Sequence, residues 1–197
     1  DANKVENPVT FAVYKVSDDW DNFSGSARLS FMPVADGPWN LYAGVSQAFR
    51  APNLSDLTRL DTARSGELET PSPGLKPETY VSWEAGFKFQ GERLAAQAAY
   101  FNTDGTDVII RTPTGQTIGG LREVTKTNAA KSNVNGIEWR LSYQVMEPLS
   151  LYTDGMWIDG WQESFPSATS TETVREPIDL LMPAMWRFGA RWVAATP

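Results

Sequence analysis

Residues 39–89 read WNLYAGVSQAFRAPNLSDLTRLDTARSGELETPSPGLKPETYVSWEAGFKF. Two alternating segments, Trp39–Arg50 and Pro77–Phe89, flank a polar connection over residues 51–76. In the first, Trp39, Leu41, Ala43, Val45 and Phe49 share one parity, and Asn40, Ser46 and Arg50 share the other. In the second, Val81, Trp83, Ala85, Phe87 and Phe89 oppose Ser82, Glu84 and Lys88. Successive side chains of a strand point to opposite faces, so each segment reads as a strand with one apolar and one polar face.

The same plan extends outward in both directions. Val9–Val16 is a short strand and Asn22–Phe31 a longer one, with Phe23, Leu29 and Phe31 opposing Ser24, Arg28 and Ser30. The Asp-Gly signal in Val34–Pro38 predicts a tight turn into Trp39. Beyond Phe89, strands are expected over Arg93–Arg111, Asn128–Val145, Leu149–Gly160 and Ala184–Ala194. The connections alternate. Those at residues 34–38, 91–92 and 146–148 are short; those at 51–76, 112–127 and 161–182 are long and polar.

Two regularities decide between a soluble sheet and a membrane barrel. A soluble antiparallel sheet with one wet face shows the same sorting by parity. Short turns at one end and long loops at the other follow the plan of an outer-membrane barrel instead. The strands are also long, at ten residues or more against about 5–6 for an ordinary strand. The fold class expected is all-β: an antiparallel up-and-down meander of about seven or eight strands, part of a transmembrane β-barrel.

Composition narrows the chemistry. The chain has 197 residues, a net charge of −7, no His and no Cys. No Ser-His-Asp triad, Cys-His pair, thiolate site or His-rich zinc site can be built from it. The absence of His argues against direct binding of a bare transition metal, whereas a chelated one would be recognised through its organic shell. The acidic balance and scattered basic residues exclude a nucleic-acid partner. No apolar run reaches 18 residues, and the opening DANKVENP has neither the basic start nor the apolar core of a signal peptide. The average hydropathy of a barrel wall hides its lipid face, because only half of its strand residues meet lipid.

Several motifs carry a family resemblance. Phe49-Arg50-Ala51-Pro52-Asn53-Leu54, then Leu75-Lys76-Pro77-Glu78, then Trp83-Glu84-Ala85-Gly86-Phe87-Lys88 follow one another in order. Together with Tyr100-Phe101, Asp107-Val108-Ile109, Asn128-Ala129-Ala130 and Asn135-Gly136-Ile137-Glu138, this series resembles the barrel of TonB-dependent outer-membrane receptors. The resemblance covers residues 22–194. It implies an importer of scarce nutrients (siderophore-iron, cobalamin or oligosaccharide) in the outer membrane of a Gram-negative bacterium. Its implied partners are outer-membrane lipid, a small-molecule or chelate ligand, and a TonB-type energy-coupling protein that acts through a plug domain. Residues 1–197 are expected to be part of the barrel, towards its C-terminal half, with the plug outside them. The competing reading is a soluble extracellular β-sheet module that binds ligands or glycans.

Candidate site residues are few. Arg50 either lines the lumen near the outer mouth and touches substrate, or closes a structural turn in which Pro52 sets φ and Asn53 caps. Trp161 and Phe165 fall in an expected external loop, where either ring could stack on a ligand; Trp161 could equally anchor the loop or join an aromatic girdle. Glu84, Glu138 and Arg140 read as a lumenal charge ladder rather than a catalytic group. The Asp104-Gly105-Thr106-Asp107 cluster reads as a strand bend. No enzymatic activity, cofactor or metal site is expected.

Overall fold

The structure is a computed structural model that describes residues 4–6, 13–15, 18–62 and 66–193. Strands β1 (Lys4–Glu6) and β2 (Val13–Lys15) form a separate antiparallel pair. The wall begins with β3 (Gly25–Phe31) and β4 (Trp39–Arg50). The connection that follows holds helix α1 (Leu54–Thr58), β5 (Asp61–Thr62) and β6 (Glu67–Glu69). The wall resumes with β7 (Glu78–Gln90), β8 (Leu94–Ile118), β9 (Leu121–Met146) and β10 (Leu149–Ser164). Strands β11 (Val174–Pro177) and β12 (Met185–Trp192) both pair with β10. Neighbours run β3-β4-β7-β8-β9-β10-β12, all antiparallel. The fold is the expected up-and-down meander, with seven strands in the wall among the described residues.

Three expectations need correction. The long connection expected over residues 112–127 is strand except at its turn, β8 running to Ile118 and β9 starting at Leu121 rather than Asn128. It turns at Gly119-Gly120, both at positive φ, and pairs back from Leu121. Two consecutive residues at positive φ make the tight hairpin turn that suits twisted strands. Pro113 is tolerated because it sits at a register shift in the ladder. The loop expected over 161–181 is also partly strand, since β10 runs to Ser164 and β11 folds back onto it. The third correction is small: β3 starts at Gly25 rather than Asn22. Of the Val9–Val16 strand, only Val13–Lys15 lies within the described residues; Ala194 lies outside them.

Cross-strand register carries the parity sorting across the whole wall. Phe31, Leu41, Phe87, Trp139 and Trp186 belong to one lateral row. The opposite face carries the row Asn40, Lys88, Gln97, Arg140, Asp154 and Arg187. The apolar face is uncovered: Trp83 is 44% exposed, Trp157 45% and Phe188 73%. Among the described residues, no second layer packs on it. A soluble sheet buries such a face, whereas a barrel wall turns it to lipid.

Several glycines sit directly across from aromatics: Gly86 from Tyr42, Gly136 from Phe101, Gly155 from Trp139 and Gly189 from Tyr152. A methyl group at any of the four would collide with its partner ring, so the rings lie over the bare backbone and restore the packing that glycine lacks.

Candidate functional site at the barrel mouth

The short turns, at residues 32–38, 91–93 and 147–148, mark one rim of the wall. The other rim is built up. Strands β8 and β9 continue past the ends of β4 and β7, and the 51–76 connection folds against them. Most of the buried apolar residues lie here: Leu57, Leu68 and Leu75 from the connection, Val108, Val124 and Ala130 from β8 and β9. Strand β6 pairs in parallel with Arg122–Val124 of β9. Thr70 donates its N–H to the Val124 carbonyl, and Ser72 Oγ accepts from the Lys126 N–H. Asn128 accepts from the Lys76 N–H and donates to its carbonyl, completing the seam.

A network of ionised side chains holds this assembly. Arg50 and Glu78 are cross-strand partners at the ends of β4 and β7. The Arg50 fork donates Nε and Nη2 to the two Glu78 oxygens, at 2.5 and 2.6 Å. Glu78 also accepts from the Ile109 N–H and the Tyr80 hydroxyl, each at 2.8 Å. The Ile109 N–H is free to do so because β8 is bulged between Gly105 and Ile109, with Asp107 in the left-handed region.

 At φ 56°, Asp107 adopts a conformation that Asp and Asn tolerate better than most residues.

Arg50 Nη1 reaches Asp56 at 2.8 Å. Asp56 is the third residue of α1 and closes a capping box with Asn53, each side chain accepting from the other's backbone N–H. Its second oxygen takes Lys126 Nζ at 2.9 Å. Lys126 also stands 3.6 Å from Glu69, whose side chain is 1% exposed. Arg111 Nε at 2.9 Å and Arg59 Nε at 3.6 Å complete the positive ring around Glu69.

The network sets protonation. Burial works against the Glu78 charge, but the Arg50 fork, the Ile109 N–H and the Tyr80 hydroxyl outweigh it and hold its pKa below the ordinary value. Asp56 is lowered in the same way, with burial overcome by Arg50, the Asn53 backbone and Lys126. Both acids are therefore ionised at neutral pH.

Below the mouth, the polar face of the wall borders a concavity of about 880 Å³ lined by Tyr42, Lys88, Glu138, Arg140, Asp154 and Arg187. Arg187 donates Nε and Nη2 to Asp154 Oδ1 at 3.0 and 2.9 Å. Among the described residues, no group of three or more acidic side chains is arranged to hold a metal ion. The site offers charge and hydrogen bonds to a ligand.

The candidates named from sequence are scattered by the fold. Arg50 stands at the mouth on the polar face, engaged by two carboxylates and 42% exposed at its side chain. Trp161 lies in β10 rather than in a loop, and the Arg175 guanidinium sits 4.0 Å from its ring centre. Phe165 follows the end of β10, half-buried, at the base of the β10–β11 turn. Sequence reasoning missed Asp56, Glu69, Arg111 and Lys126. The Asn53-x-x-Asp56 spacing was a legible capping signal; the other three carry no local signature.

The family model described as TonB dependent receptor-like, beta-barrel, matches residues 2–196. The chain belongs to this family. It is an outer-membrane β-barrel segment, and the soluble glycan-binding alternative falls with that assignment. A relative in Vibrio cholerae, an iron-regulated outer membrane virulence protein, is 29% identical over 149 residues, covering 68% of this chain and 23% of the relative. The ferric enterobactin receptor PirA of Pseudomonas aeruginosa is 31% identical over 126 residues, covering 57% of this chain and 17% of the receptor. The Serratia marcescens hemophore receptor HasR superposes with a TM-score of 0.65 at 22% identity, over 86% of this chain and 28% of that one.

Proposed function

We propose that this chain is an internal part of the barrel wall of a TonB-dependent importer, and that the receptor takes up a ferric chelate. The observation that supports the ligand class is the pair of sequence relatives, one iron-regulated and one a ferric enterobactin receptor. In this reading the wall supplies a rigid lumen and the mouth supplies an ordered loop. A plug domain outside this chain transmits the pull of a TonB-type energy-coupling protein. Arg50 serves by fixing the 51–76 loop through Glu78 and Asp56, and Phe165, at the base of the β10–β11 turn, belongs to the outer loops that first meet the ligand; Trp161, in β10 with Arg175 over its ring, anchors that end of the strand.

The test is uptake of radiolabelled ferric chelates by iron-starved cells lacking and then regaining the receptor. Accumulation should require both the receptor and an energised inner membrane. Equal accumulation without the receptor, across catecholate, hydroxamate and carboxylate chelates, would overturn the reading.

A further inference from the structure

The chain carries a net charge of −7, yet one end of its lumenal face is basic. A second concavity of about 640 Å³ adjoins the one below the mouth. Arg93, Arg140, Arg187 and Arg191 line it, against Asp154 and Glu92. All four arginines are exposed. Lys88, also exposed, extends the series along the row that holds Arg140. Among the described residues, Arg187 is the one arginine of the four with an acidic partner, Asp154 at 2.9 Å.

The cluster has a definite place in the barrel. Arg93 belongs to the β7–β8 turn, and Arg191 pairs with Ser150 just past the β9–β10 turn. The basic end is therefore the short-turn rim, opposite Arg50 and Glu78. Short turns of outer-membrane barrels face the periplasm, so a ligand that enters at the mouth meets these arginines on its way out. Their arrangement suits passage better than a fixed dock. Arg187 and Arg191 are four residues apart on β12, about 13 Å along the strand. Arg93 and Arg140 lie on other elements, so no one anionic group engages all four. A solvent-exposed guanidinium binds an anion weakly and releases it readily. Conduction needs several such weak sites in succession, and a concavity of one sign raises the local concentration of the opposite charge.

We propose that this end of the lumen is an exit path selective for anions, so that the ferric chelate taken up carries net negative charge. The inference rests on the proposed uptake of a ferric chelate and narrows its class. The mouth captures the chelate, and the arginines act on its passage afterwards.

The experiment measures initial uptake of radiolabelled ferric chelates by iron-starved cells whose one importer for them is the complete receptor. The probes are a tris-catecholate and a polycarboxylate chelate, both anionic, and a neutral tris-hydroxamate. In Arg140→Gln/Arg191→Gln, uptake of the anionic chelate should fall at least fivefold, while the purified receptor binds it with unchanged affinity. Arg140→Lys/Arg191→Lys keeps the charge and should restore most of the rate. An unchanged rate in the Gln variant overturns the proposal, as does a Lys variant as slow as the Gln one. Entry of a large antibiotic into cells with the Gln variant would show that the arginines hold a plug in place, and overturns it too. If the Gln variant does not fold, Ser150→Glu decides: an acid set against Arg191 should slow the anionic chelate by a similar factor, and an unchanged rate overturns the proposal. A parent receptor that imports the neutral chelate alone overturns this inference and leaves the proposed function standing. Import of none of the three overturns the proposed function itself.

Discussion

Glu78 shows how one residue can organise the mouth. It is 2% exposed, yet it accepts four hydrogen bonds, three from the Arg50 and Tyr80 side chains and one from the β8 backbone. A buried charge is tolerable when its lone pairs are satisfied in this way, and removing its partner is far more costly than the pair is worth. Arg50→Ala should therefore loosen the 51–76 connection by about 3–5 kcal/mol, the range for stranding one member of a buried pair. Hydrogen exchange across residues 51–76 would read this as lost protection, with the lower wall strands unaffected. The pH dependence has a definite sign. Glu78 and Asp56 have folded-state pKa values below their unfolded ones, so their contribution is present above the unfolded carboxylate range and is lost as pH falls through the lower folded values. Protection of the connection should thus fade at the acid extreme and stay flat around neutrality; a step near neutral pH would refute the assignment.

Among the elements, β9 has the most to do. Its lower part, from Ser132 to Met146, pairs with β10, while its upper part, Arg122–Val124, pairs with β6. One strand thus serves both the membrane wall and the mouth. The β8–β9 hairpin beyond the bulge exists to hold the connection as much as to extend the sheet. Removing residues 112–125 and rejoining the strands with a two-residue turn should leave the wall intact, since none of the removed residues pairs with β7 or β10. It should expose the 51–76 connection, because β6 and Thr70 lose their backbone partners. Limited proteolysis checks this: cleavage within 51–76 should rise sharply while the heat-modifiable band of the barrel persists.

For the whole molecule, the governing fact is which face meets lipid. Ile137 and Glu138 are neighbours in β9 that point to opposite sides. A lysine on the lipid face costs about 2–4 kcal/mol near the bilayer midplane, and lumenal positions are far more tolerant. Ile137→Lys should reduce folding yield into vesicles, and Glu138→Lys should leave it near that of the parent. Equal yields would mean that the apolar face is not the outer one.

Much of this was legible in the chain itself. Alternation in Trp39–Arg50 and Pro77–Phe89 determined the strands and their faces, because strand periodicity is local and each residue declares its side. The rhythm of short and long connections determined the meander. The charged mouth was legible only in part: Asn53 was expected to cap, without its partner Asp56, and Arg50 stood out at a strand end. What only the tertiary structure decided is that Asp56 meets Lys126, 70 residues away, and that Glu69 meets Arg111. The strand in 112–118 was likewise invisible, since Thr, Gly and Pro there read as loop until the partner strand supplies its hydrogen bonds. The physical reason is the same in each case. A periodic pattern is written into neighbouring residues, whereas a lone Glu or Lys takes its meaning from the partner that folding brings to it.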